Sequence, residues 1–414
     1  MGTNVLNYIQ LGLIFSTGFI LSRIFIKCGI AEQIVFFFIK KSHGKIHRII
    51  IYIVYSTSIM SMFIPNIITV LSVLPIINIL VKDLDKLDKK GYPLRTSLAM
   101  SNLYGANIGG TGSINGTISN AIVIGFLFLK GIKEVNNINF ISWLGWGLPF
   151  VLIFCALASL MLIVFLVPKN IRKTNIDFTK LHEHRETYPH KNIGITISLV
   201  TFGFWLILSA VNLINPKVIM PYTTVLAGLF IIGFVVIVFF VKFEDKKLDI
   251  KKRILVVKDF YTDLPVKGFI IAGVAMVISA VLIYFKFDKE IAPVLKSVLP
   301  GHASYFVVML IFATFAIYLS EFVSNTTAAI SLYLIALPVC QAMNLNPFGI
   351  LMGITIVSTV TMMSPLANAV NALAYGGVKH VSLKRMMRLG FFMDMIGILL
   401  TSTVATYILP RYFR

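Results

Sequence analysis

Acidic side chains are scarce in this chain. Its 414 residues hold 17 Asp and Glu against 37 Lys and Arg, and charged residues of both signs make up only 13%. With 57% of residues hydrophobic and a mean hydropathy of +0.87, so little charge excludes a water-soluble domain and fits a chain that crosses a membrane many times. Cysteine is nearly absent too. Cys28, Cys155 and Cys340 each stand alone in apolar surroundings, which excludes a disulfide framework and a thiolate metal site and leaves buried, inert thiols. No paired carboxylate cleft, His/Cys metal set or nucleophile motif is present, so the sequence does not read as an enzyme and calls for no organic cofactor. His182-Glu183-His184 has no second ligand cluster to join and reads as part of a solvated loop. A removable signal peptide is not expected: the first ten residues are uncharged, and the apolar run Tyr8–Ile26 is too long for one.

The net charge of +20 could suggest nucleic acid, but no basic stretch is interleaved with aromatic residues. The basic residues fall instead in short segments between apolar runs, as cytoplasmic loops do. Runs long enough to span lie near 6–27, 139–167, 193–213, 219–241, 266–285 and 389–410. The polar segments 168–192 and 242–265 read as cytoplasmic loops. Within the second, the Lys-rich stretch Lys242–Lys258 is either ordinary topological charge or a strip lying along anionic lipid.

What the chain does contain is an internal echo. Ser61-Met62-Phe63-Ile64-Pro65-Asn66 has the frame of Ser320-Glu321-Phe322-Val323-Ser324-Asn325, and Asn120-Ala121 with Gly125 matches Asn371-Ala372 with Gly376. Residues 49–81 are apolar but interrupted at Pro65-Asn66, leaving arms of about sixteen residues, or roughly 24 Å of helix, short of a full crossing. The segment reads as a re-entrant hairpin with its tip at Pro65–Thr69; two short tilted spans are the alternative. Residues 303–345 are its counterpart, with a tip at Ser324–Thr327. Two helices broken mid-way complete the pattern: 97–132, interrupted at Gly109–Asn120, and 348–378, interrupted at Ser364–Asn371. Threading these elements with the N-terminus outside places 29 Lys and Arg inside and 8 outside, and it makes the two repeats inverted.

The fold class that follows is an all-α, polytopic membrane protein of two inverted repeats, each with a re-entrant hairpin and a broken transmembrane helix. The first repeat is expected over residues 1–167 and the second over 266–414. Residues 168–265 supply connecting loops and two spans.

Interruptions at membrane depth offer chemistry. Helix N-termini attract anions, free carbonyls coordinate Na⁺, and Asn, Ser and Thr add neutral donors and acceptors. Gly109, Gly110, Gly112 and Gly116 allow close backbone approach. Taken alone, the glycines could merely pack helices, and the asparagines could be interhelical glue. Their repetition in matching places is what points to a transport site. Glu321, at membrane depth beside the second tip, is either a carrier of coupling cations or protons or an anchor for its hairpin. Asp394 carries a weaker flag of the same kind.

At these residues the chain resembles the divalent-anion/sodium symporter family of the ion-transporter superfamily. Ser324-Asn325-Thr326, within Glu321–Thr326, matches that family's second hairpin tip. Gly116-Thr117-Ile118-Ser119-Asn120 matches its first loop at Gly, Thr and Asn, and Asn371-Ala372 to Tyr375-Gly376 looks like its second. The first tip departs from the pattern, reading Pro65-Asn66-Ile67 with Thr69 nearby. The second loop, Asn368-Ala369-Val370-Asn371, lacks the family's prolines. The resemblance implies a homodimeric, elevator-type secondary carrier in the cytoplasmic membrane, moving a di- or tricarboxylate or a sulfate-like oxyanion with sodium. It assigns sodium to Asn66, Gly116, Ser324 and Asn325, and substrate to Asn66, Thr117, Asn325 and Thr326. Thr69, Asn120, Asn368 and Asn371 would be the supporting loop residues. With no Lys or Arg at any motif, charge compensation would fall to bound cations and helix ends. Proton-driven transport or exchange through Glu321, and a non-transporting sensor or scaffold, are the rival readings.

Overall fold

The computed structural model describes residues 3–84, 92–169, 188–245, 250–261 and 304–414. The expected span at 266–285 and the His182–His184 motif lie outside the described residues. The chain divides into two compact units, Met1–Gly116 with Ile138–Leu264, and Thr117–Asn137 with Pro265–Arg414. The division therefore cuts the first broken helix at its interruption and groups its second half with the C-terminal part of the chain.

The first unit holds helices α1 (Thr3–Lys27), α2 (Ile30–Lys41), α3 (Ile46–Ser61), α4 (Asn66–Leu84), α5 (Tyr92–Gly109), α7 (Phe140–Leu166), α8 (Lys191–Asn212) and α9 (Pro216–Phe239). Of these, α1, α7, α8 and α9 are long and apolar enough to cross a membrane, whereas α3 and the apolar part of α4 are shorter apolar helices. α1, α8 and α9 are stitched by buried polar groups. Gln10 Nε2 donates to Thr224 (2.9 Å), and Asn212 Nδ2 donates to Gln10 Oε1 (2.8 Å). Thr223 and Asn212 close the network at 2.6 Å. The opposite faces of α8 and α9 are apolar and bare: Leu199, Ile207, Val225 and Ile232 are each more than 60% exposed, as lipid-facing side chains are.

α5 lies against α3 at backbone distance. A Cβ on Gly109 would stand 2.2 Å from the Ser58 carbonyl oxygen, and one on Gly105 would stand 2.5 Å from that of Val54. Both clashes are with backbone, so no rotamer change relieves them. Gly109→Ala is accordingly expected to destabilise the protein by about 1–3 kcal/mol, read as a lower melting temperature in detergent, whereas Gly203→Ala, inside α8 with open space around it, does not lower melting and gains helix propensity.

The second unit holds α6 (Ile118–Leu129), α11 (Tyr305–Ser320), α12 (Asn325–Ala342), α13 (Pro347–Thr359), α14 (Ala369–Gly376) and α15 (Leu383–Thr403), the last continuing through a π turn at Val404–Ile408. Side-chain caps set the starts of four of these, with Ser304 Oγ accepting from Val307 N–H (3.4 Å) for α11. Ser324 Oγ accepts from Thr327 N–H for α12, Asn346 Oδ1 from Phe348 N–H (2.9 Å) for α13, and Asn368 Oδ1 from Asn371 N–H (2.9 Å) for α14.

The two hairpins have the same local plan: a 16-residue first arm, four non-helical residues, and a second arm that begins on Asn66 or Asn325. Asn120 and Asn371 are each the third residue of the helix that resumes after a break. The interruptions are displaced from their expected positions. The first tip is 62–65 rather than Pro65–Thr69, because the Pro65 carbonyl already accepts the N–H groups of Ile68 and Thr69 and so opens α4. The second is 321–324, because Ser324 is the cap and Asn325 the first helical residue. The breaks run 110–117 and 360–368, the latter four residues ahead of the expected start at Ser364. The segment expected as a polar loop at 242–265 also carries structure, an antiparallel pair β1 (Lys242–Asp245) and β2 (Ile250–Arg253) followed by α10 (Val257–Tyr261).

Candidate functional site

A broken helix inside a membrane must satisfy its freed backbone groups internally. The first break does so locally. Gly110 N–H reaches Ala106 O (3.1 Å), Gly112 N–H reaches Gly109 O (2.9 Å), and Gly116 N–H reaches Ser113 O (3.2 Å). Ser113 Oγ donates to the Met62 carbonyl in the first tip, and the Trp143 indole donates to Thr111 O (3.0 Å). Gly116 is required by the turn itself, since a Cβ there would fall 2.3 Å from Gly110 O. Asn66 lies beside this loop's hairpin with its Oδ1 2.7 Å from Ser61 Oγ, which is also 2.8 Å from the Ala106 carbonyl. Thr69 is fully buried, and its hydroxyl has no hydrogen-bond partner.

The second break is held by acids. Glu321 Oε1 accepts from Met363 N–H (3.0 Å), and Oε2 accepts from Ser364 N–H (2.6 Å). Asp394, from α15, accepts the preceding N–H, that of Met362, at 3.0 Å. Three successive amide groups thus end on two buried carboxylates. Both oxygens of Glu321 accept from backbone N–H groups of the unwound loop and tie the hairpin tip to it. Asn368 and Asn371 sew the rest of this loop together: Asn368 Nδ2 donates to Thr361 Oγ1 (3.2 Å), and Asn371 Nδ2 donates to Ser364 O (2.8 Å).

Within the second unit, the N-terminal turns of α6 and α12 meet. Ser119 Oγ and Thr326 Oγ1 are 3.2 Å apart, which places the beginnings of these two helices side by side. Thr117 precedes α6 in extended backbone and makes no side-chain cap. Its Oγ1, like Asn325 Oδ1, is a buried oxygen with no hydrogen-bond partner. Thr117, Asn325 and Thr326 therefore belong to one cluster, together with Ser119, a residue inside the Gly116–Asn120 motif that sequence reasoning had passed over. Ser324 is occupied in capping, 2.7 Å from Thr327 Oγ1. Asn66 and Gly116 belong to the first unit. Asn120 is fully buried in the first turn of α6.

These features define a membrane transporter of discontinuous helices. A family model for the sodium:sulfate symporter transmembrane region matches residues 8–409, and the chain belongs to that family. An uncharacterized transporter of Haemophilus influenzae is 24% identical over 372 residues, covering 88% of this chain and 73% of its own. A sodium-dependent dicarboxylate transporter of Staphylococcus saprophyticus is 23% identical over 415 residues, covering 96% and 76%. A sodium-dependent high-affinity dicarboxylate transporter of Caenorhabditis elegans is 24% identical over 403 residues, covering 89% and 69%. Among solved structures, the Alcanivorax borkumensis YdaH transporter superposes with a TM-score of 0.55 at 12% identity, covering 98% of this chain and 84% of that one, a likeness of fold.

Proposed function

We propose that this protein is a secondary-active symporter that couples inward sodium to uptake of a small anion, a di- or tricarboxylate or a sulfate-like oxyanion. The observation that carries the reading is the pairing of the α6 and α12 N-termini through Ser119 and Thr326. Two helix N-termini side by side present backbone N–H groups and positive dipole ends to an anion without any Lys or Arg. Thr117 and Thr326 hydroxyls and the Asn325 amide are the groups for substrate in the second unit, and Asn66 is the group for substrate in the first. Asn325 Oδ1 is a hard, desolvated oxygen without a donor, suited to Na⁺, with Ser324 beside it; Asn66 and Gly116 are the matching pair of the first repeat. Thr69, Asn120, Asn368 and Asn371 hold the loops. The names of the staphylococcal and nematode relatives support both sodium and a dicarboxylate. Inverted repeats, an elevator-like movement of the hairpins, a homodimer and a cytoplasmic-membrane location with the N-terminus outside complete the proposal.

The test is initial-rate uptake of labelled succinate, citrate and sulfate into proteoliposomes, with an inward gradient of sodium or of protons. Sodium-driven uptake of one of these anions is expected. Uptake driven by protons alone would move the coupling to Glu321, and binding without uptake would make the protein a sensor.

A further inference from the structure

The basic stretch after α9 is folded. β1 and β2 pair Lys242 with Arg253, Phe243 with Lys252, and Glu244 with Lys251. Because side chains alternate across a strand, Lys242, Arg253, Glu244 and Lys251 share one face. Phe243 turns to the other, where its ring packs 6.4 Å from that of His190. The shared face carries three cations and one anion. Lys242, Lys251 and Arg253 are exposed and make no hydrogen bond or ion pair among the described residues.

The height of this hairpin is fixed by two membrane-crossing helices. Leu255 N–H donates to Val238 O near the end of α9 (3.1 Å), Ile254 and Leu255 are buried, and Asp259 forms an ion pair with Lys27 at the end of α1. An apolar rim lies next to the cations: Phe240 is 62% exposed, Val257 59% and Val256 42%. Exposed apolar side chains and unpartnered cations, held at the ends of spanning helices, match the boundary between acyl chains and headgroups. Charge that served topology alone would need neither the strand pairing nor the rim.

We propose that the β1–β2 hairpin is a docking surface for anionic phospholipid headgroups, with Lys242, Lys251 and Arg253 facing the phosphates and Phe240, Val256 and Val257 entering the acyl boundary. The inference does not depend on what the protein transports. Its test is titration of detergent-solubilised full-length protein with fluorescent phosphatidylglycerol or phosphatidylcholine. The wild type is expected to prefer phosphatidylglycerol, and Lys242→Gln/Lys251→Gln/Arg253→Gln to lose at least about fivefold of that affinity, the factor for a single basic group at an anionic surface, with phosphatidylcholine binding unchanged. On the unmodified protein, added salt should weaken phosphatidylglycerol binding alone. Undiminished phosphatidylglycerol binding by the variant, salt-insensitive binding, or equal competition by inorganic phosphate would each overturn the proposal.

Discussion

Asn325→Ala is expected to reduce sodium-driven anion uptake by about a hundredfold while leaving the fold intact. The amide stands first in α12, and its Oδ1 is buried without a donor, so its removal breaks no hydrogen bond of that oxygen within the protein. Alanine is also the better helix former. What is lost is a contact to a charged ligand, worth about 1.5–3 kcal/mol each, and the proposed site uses this one side chain for both the sodium and the substrate. The checks are initial uptake rates in proteoliposomes and melting in detergent. A large fall in uptake with unchanged melting is the expected pair of results; parallel losses would make Asn325 a packing residue.

Replacing Glu321 has the opposite signature. Glu321→Ala strands the N–H groups of Met363 and Ser364 inside the unwound loop. Each costs about 1–3 kcal/mol when left unsatisfied, so melting temperature and uptake are expected to fall together. Glu321→Gln keeps one accepting oxygen and should lie between the two. Whatever uptake the Gln variant retains should keep the sodium dependence of the wild type, because in the proposed mechanism the carboxylate positions the loop and the coupling ion is sodium held elsewhere. Abolition of pH-dependent transport in the Gln variant would instead assign Glu321 to proton coupling.

How far the sequence could be read is clear from particular residues. The matching Asn66 and Asn325, and Asn120 and Asn371, were visible because a repeat preserves residues at equivalent backbone positions. The structure puts each pair at the same place in its helix, first or third. The exact tips were less legible. Periodicity marks where apolar sequence is interrupted, but a cap decides where helix resumes: Ser324 shifts the second tip toward Glu321, and the Pro65 carbonyl does the same for the first. The partners of Glu321 could not be seen at all, since its hydrogen bonds go to the backbone of Met363 and Ser364, whose side chains carry no trace of the contact. Ser119 was hidden for another reason. A hydroxyl in an apolar helix is unremarkable until the fold brings Thr326 to it. The β1–β2 hairpin was masked by its lysines, which read as loop because their charge outweighs their alternation.

The central claim is that bound sodium drives the anion inward against its own gradient. Its most direct test is uphill accumulation: proteoliposomes loaded with unlabelled transportable anion at the external concentration are given an inward sodium gradient, and internal labelled anion is followed with time. The account predicts that labelled anion rises transiently above the external concentration and relaxes as the sodium gradient collapses, with no such overshoot for Asn325→Ala. An approach to equal concentrations without overshoot, unaffected by sodium, would contradict it.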